Sequence, residues 1–395
     1  MKSPRCTTTG HFPCANGAGA PASKLRPLHG RLCRSAFLAF PLLLSLYLPA
    51  RAETPGAVPG AEGKGDVVTL AAATYRERVI SEDTVWRGEV KVEGAVAIAS
   101  QATLRIEPGT VVRFRRGASS AGVLMVQGRL VAVGTAEAPI LFAGSAPRAQ
   151  GGEWQGIMLL GTEKKNLLEQ CRIEGASTGV EILYSSATLK KVSATQCRTG
   201  AVVQDSFVTM DGCAFSGCDT GVSLRESEVE NYRGTFSGNG QGIVARGGSL
   251  YLSEAEISGN RGTALFGINA RLKITGGSVS DNGSGFFLSG CEGVISGMKV
   301  SASREMALAL SHSRMRITGN EITRNGGTGI WVDDGSAVAW GNAIFQNGGH
   351  DLYNAGSEEF RAPGNWFGGG EPKVFENEGR GRVILAPILG ARPHM

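Results

Sequence analysis

Thr178-Gly179-Val180-Glu181-Ile182 is the stretch whose pattern decides the fold: a small residue, followed by apolar side chains one and three places later. With Gly179 as anchor, the same position returns at Gly200, Gly221, Gly242, Thr263, Gly285, Ala307, Gly329 and Asp351, spaced 21 residues four times and then 22 four times. Nine such units run from Asn166 to Phe360. A unit this short, rich in Gly, Ser and Asn, cannot hold paired helices and fits one coil of an all-β solenoid.

Within a unit the period-2 alternation of a strand is plain in Val180 and Ile182, Val222 and Leu224, Phe286 and Leu288, and Ile330 and Val332. Six or seven residues before the anchor, a second apolar column runs Ile173, Ala194, Phe215, Phe236, Ile257, Val279, Val300, Ile322 and Ile344. A third strand is expected through Leu189, Met210, Leu250, Leu272, Val294 and Ile317. Three short strands per coil, stacked at roughly 4.8 Å, predict three parallel sheets around a narrow core. Just before the anchor stand Asn239, Asn260, Asn282, Asn325 and Asn347, with Ser303 substituting once. Asn tolerates the left-handed backbone of a tight turn, and stacked amides can bond from coil to coil.

These columns resemble the right-handed parallel β-helix (pectin-lyase-like) superfamily, in which an asparagine ladder marks the turn between the second and third sheets. The resemblance extends outward from the repeats. Leu104-Arg105-Ile106-Glu107-Pro108-Gly109-Thr110, Pro139-Ile140-Leu141-Phe142 and Gly152-Glu153-Trp154-Gln155-Gly156-Ile157 look like the entry coils of secreted bacterial β-helix proteins. Gly364-Asn365-Trp366-Phe367-Gly368 and Val383-Ile384-Leu385-Ala386-Pro387 resemble the phrases that close them. The expected organisation is a signal peptide with a long basic lead-in over 1–52, a flexible linker over 53–76, and an N-terminal cap with entry coils over 77–165. Regular coils follow over 166–360 and a C-terminal cap over 361–395.

The leader rests on an apolar run from Ala36 to Leu48 followed by Ala50-Arg51-Ala52, a cleavage pattern, and predicts export to the periplasm, cell surface or exterior. Removing it takes seven of the 40 Lys and Arg, leaving 33 against 35 acidic residues, a net charge of about −2. The mature chain has no basic cluster interleaved with aromatics, which argues against nucleic acid as partner, and no integral membrane span is expected.

Five cysteines follow the leader. Cys197 and Cys218 share a column in consecutive coils, at a spacing within disulfide range. The column admits a disulfide, a pair of free thiols at the head of the asparagine ladder, or a rival pairing of Cys213 with Cys218. No spacing makes a metal site, and no cofactor is expected. The glycosidase branch of the superfamily carries a Gly-His-Gly stretch that does not occur here. Asp333-Asp334 resembles its paired aspartates but reads as a solvated turn, and an adjacent pair does not span a cleft. The even period leaves no insertion to wall a pocket, which favours binding along a face over catalysis in a hole.

Two residues after each anchor the side chain should point outward, giving Glu181, Val202, Ser223, Val244, Leu265, Phe287, Ala309, Trp331 and Tyr353. Phe287, Trp331 and Tyr353, with His312, Asp333 and Asp334 nearby, form the candidate ligand-binding face. The resemblance implies a polysaccharide as ligand, and the lack of a recognisable active-site motif favours binding without catalysis. Two alternatives are a polysaccharide lyase, hydrolase or epimerase with an unfamiliar site, and a structural or protein-binding surface protein. A competing expectation for the stripe itself is that the tail, with Trp366 and Phe367, folds back and covers it.

Overall fold

The computed structural model describes residues 73–146, 150–377 and 381–394, and the expected signal peptide and residues 53–72 lie outside these. The described residues form a parallel β-solenoid of about 14 coils with no helix. The first sheet stacks strands such as Ala176–Leu183, Thr199–Gln204 and Thr220–Arg225; the second stacks Ser186–Lys190 and Phe207–Asp211; the third stacks Ser193–Thr195 and Ala214–Ser216. Every pairing between neighbouring coils is parallel, for example Val180 with Ala201 and Ala201 with Val222.

Like lies over like inside. The column from Ile173 through Phe215, Phe236 and Ile257 to Ile344 is buried throughout, and Phe215 stacks on Phe236 with centroids 5.6 Å apart. Each such buried side chain contributes about 1.5–3 kcal/mol of apolar burial. The coil is closed by tight corners, most of which place one residue in the left-handed region. Tyr184, Asp205, Glu226, His312 and Asp334 do so between the first and second sheets, where glycine would otherwise be favoured.

Buried side chains cap these corners by accepting the next backbone N–H of the stack. Asn239 Oδ1 accepts from the Cys218 amide at 2.9 Å, Asn260 from Asn239 at 2.9 Å and Asn282 from Asn260 at 3.0 Å. This is the column expected before the anchor, and it lies between the third and first sheets. A second one, Asn320, Asn342 and Asn365, lies between the second and third sheets, each amide N–H bonded at 2.9 Å to the next Asn. Serines serve the remaining corner: Ser185 and Ser206 donate their backbone N–H to Ser206 Oγ and Ser227 Oγ.

Two expected columns need correction. Ile243 pairs with Leu265 and Leu265 with Phe286, so the extra residue enters before Ala264, which replaces Thr263 as anchor. Leu265 is therefore buried and Phe266 points outward. On the second sheet the innermost column is Leu189, Met210, Asn231, Leu252, Ile274, Ile295 and Ile317. Leu250 and Leu272 belong to a parallel buried column, and Val294 faces out.

At the start, strand Ala73–Ile80 begins inside the stretch expected as linker and pairs with Glu89–Ile98. At the other end the coil continues beyond Phe360. Asn365 extends the ladder, Trp366 bridges to Ala343 and sets its ring 5.2 Å from Phe345, and Val374–Glu376 adds a strand beside Leu352–Asn354. Trp366 and Phe367 thus pack away from the first sheet, and of the described tail residues Phe375 alone joins the outward stripe, stacked on Tyr353. Among the described residues no helix is long and apolar enough to cross a membrane.

Candidate ligand-binding faces

The outward column of the first sheet is Glu181, Val202, Ser223, Val244, Phe266, Phe287, Ala309, Trp331, Tyr353 and Phe375. Stacking one residue type over itself produces two aromatic blocks. Phe266 and Phe287 stack at 5.3 Å with a 6° interplanar angle, and Tyr353 and Phe375 at 4.2 Å and 12°. Rings stacked along the solenoid axis turn their edges outward, so their faces serve one another rather than a ligand. The guanidinium of Arg246 lies 5.8 Å from the Phe266 centroid. Between the blocks Ala309 is buried, while Trp331 is half-exposed and has no ring partner among the described residues.

The polar candidates gather at the corner beside Trp331. Asp333 ends strand Ile330–Asp333, and its carbonyl accepts the His312 amide at 2.8 Å. His312 Nδ1 lies 2.8 Å from Ser311 Oγ. Asp334 Oδ1 accepts from the Ser357 amide at 2.7 Å and from Ser357 Oγ at 3.0 Å. Those bonds hold the Asp334 carboxyl below the usual aspartate range, first the backbone bond and then the hydroxyl. Trp331, Tyr353, His312, Asp333 and Asp334 thus lie within neighbouring coils, and Phe287 stands apart, two coils back across Ala309. His350 adds to the group, 5.3 Å from the Tyr353 ring.

Nearer the N-terminal end of the same sheet, Glu181 sits half-buried in a hollow of about 190 Å³ with Met125, Gln155, Met158 and Thr178. Burial raises its carboxyl above the ordinary glutamate value.

A larger concavity lies on the second sheet, where no candidate was expected. It is a trough of about 730 Å³ that includes Glu228, Glu230, Tyr251, Arg271, Lys273, Glu292, Val294, Arg314, Arg316 and Val338. These form two outward columns, one passing Arg271, Glu292 and Arg314 and the other Lys273, Val294 and Arg316. The alternation of charged and buried residues was visible in the sequence, but that pattern alone reads as an ordinary solvated face.

All five described cysteines are free and buried. The Cys197 and Cys218 thiols donate to backbone carbonyls, and the neighbouring Cys218 followed by burial raises the Cys197 thiol. Burial pushes Cys171 up to about 12 and Cys213 up to about 11, making them inert core thiols.

A right-handed parallel β-helix is the class these sheets and ladders define, and family models agree along the chain. Residues 227–367 match the right handed beta helix region, 78–188 the pectate-lyase like beta helix domain, and 146–295 the periplasmic copper-binding protein (NosD). Over these residues the chain carries right-handed β-helix domains of the pectate-lyase-like kind. No curated protein matches it. Similar solved structures include the A-module of the mannuronan C-5 epimerase AlgE6 of Azotobacter vinelandii, at 14% identity, 73% of this chain, 91% of that one and TM-score 0.42. Another is the periplasmic alginate epimerase AlgG, at 12% identity, 78% and 77% coverage and TM-score 0.41. The Dettilon tailspike protein gp208 is similar at 12% identity, 80% and 62% coverage and TM-score 0.27.

The copper in the NosD description requires a donor set that the described residues do not supply. Among them no three His, Cys, Asp or Glu side chains converge, and the Cys197 and Cys218 thiols are engaged with backbone carbonyls.

Proposed function

We propose that the chain is exported and binds an extended polysaccharide along the first sheet without turning it over. The observation that carries this reading is Trp331: a half-exposed indole with no ring partner among the described residues, beside His312 and Asp333. A free aromatic face takes the C–H face of a sugar ring, and flanking polar groups fix its hydroxyls. Phe287 and Tyr353 supply apolar edges on either side. Asp334 supports a binding role because its carboxylate is committed to Ser357 and held ionised, which suits neither a general acid nor a mobile base.

A second reading, catalysis, is favoured by Glu181, whose carboxyl opens into a hollow and is raised by burial, the direction a general acid needs. One experiment separates the two. A glycan array is probed with the full chain and with Trp331→Ala, and bound sugars are assayed for released products. Binding without product, weakened about tenfold or more in the variant, is expected, a loss near the value of one aromatic stacking contact. Product release that is lost in Glu181→Gln would replace this reading with the enzymatic one.

A further inference from the structure

The trough on the second sheet is shaped by glycine and lined by four cations that make no ion pair among the described residues. Gly293 has φ +141°, and a Cβ there would run into the Leu272 carbonyl oxygen, so only glycine lets the strand dip at this point. On either side of the dip stands a doubly basic rung, Arg271 with Lys273 and Arg314 with Arg316, all four exposed. The rungs are two coils apart, roughly 9.6 Å. None of the four makes an ion pair or a side-chain hydrogen bond among the described residues, although Glu292 stands between Arg271 and Arg314. The rung between them also presents Val294, and Tyr251 borders the first with its ring centroid 4.8 Å from the Lys273 ammonium.

We propose that this trough is a second, independent binding site, for a carboxylated glycan whose acid groups meet the two basic rungs while a sugar face rests on Val294 between them. Three features select that chemistry. Arg guanidinium groups match carboxylates in a two-point fork. A chain in which alternate sugars face opposite ways brings a carboxylate to one side at every second sugar, a spacing of the order of two coils. The apolar middle rung, with Glu292 beside it, accepts a C–H face and opposes an anion. Nucleic acid fits less well, since a phosphate about every 3.4 Å would place charge against Glu292 and the Glu228 and Glu230 rung. The site stands on another sheet from Trp331 and does not rest on the reading of that face.

The test is affinity electrophoresis of the full chain through gels containing polygalacturonate, its fully methyl-esterified form, dextran, single-stranded DNA or inorganic polyphosphate. The variants are Arg314→Gln/Arg316→Gln, Gly293→Ala and Trp331→Ala, each checked for an unchanged thermal midpoint. The expected result is retardation by polygalacturonate only. It weakens at least tenfold in the arginine double variant, falls with added salt as for a direct charge contact, and persists in Trp331→Ala. The double variant lies wholly on the surface, so it keeps the test valid if Gly293→Ala unfolds. Equal retardation by the methyl ester, equal or stronger binding of DNA or polyphosphate, loss of binding in Trp331→Ala, or no effect of the arginine double variant would each overturn the assignment.

Discussion

At the scale of single residues, the departures from the repeat carry the most information. Asp351 occupies the anchor position that is Gly or Ala in the preceding coils, so its carboxylate is pressed into the interior beneath the last coil, 4% exposed. Oδ2 accepts the Lys373 amide at 3.0 Å, while Oδ1 has no partner. Burial raises its pKa, only partly offset by the Lys373 amide and ammonium. A folded-state value above the unfolded one means that this group's contribution to stability is greatest below the usual aspartate range, near about 4, and is lost as pH rises through the folded value. Asp351→Asn is therefore expected to raise the thermal midpoint at neutral pH, with the gap to the parent narrowing on acidification. Thermal melts of both proteins across that range check it. A gap that widens on acidification would place the carboxylate in a favourable ion pair instead.

At the scale of elements, the ladders show what holds one coil to the next. Ser303 interrupts the column between Asn282 and Asn325. Its own amide reaches Asn325 Oδ1 at 3.0 Å, but its buried hydroxyl has no partner. Ser303→Asn supplies an acceptor for the Asn282 amide and a donor for the third-sheet carbonyl above it, as Asn325 does with Val300. A gain of about 1 kcal/mol in stability is expected, read as a higher denaturation midpoint with unchanged β-sheet signal. The ladder itself was legible in the sequence because Asn recurs at fixed spacing, as was the column through Phe215 and Ile257. The register between Gly242 and Gly285 was not. Thr263 and Ala264 are both small enough to serve as anchor, and only strand pairing places the extra residue ahead of Ala264 and turns Phe266 outward. The Asn320, Asn342 and Asn365 column escaped notice because it joins the tail to the repeats, across the boundary that separated them. The trough escaped for a different reason. Single charges on a strand are usual on a wet surface, and their meaning depends on Gly293 and on the absence of partners in three dimensions.

At the scale of the whole molecule, each coil pairs its strands only with the coils before and after it, so stability is close to a sum of coil and interface contributions. Like columns make the coils interchangeable, since Ser193 pairs with Ala214 and Ala194 with Phe215, one full coil of 21 residues on. Deleting 193–213 joins Val192 to Ala214 with every strand and corner in phase, and leaves Trp331 and the Arg271 to Arg316 trough intact. The shortened chain is expected to keep its β-sheet signal and its ligand binding, with a lowered denaturation midpoint from the lost burial of residues such as Ala194 and Met210. Removing only 193–203 is the control. It carries the strands and corners that follow out of step with the coil below, turning apolar columns to solvent, and is expected to yield no cooperative unfolding transition. If the two deletions behaved alike, the stack would not be modular. Binding would then depend on the whole length of the solenoid rather than on the few coils that present Trp331 or the basic rungs.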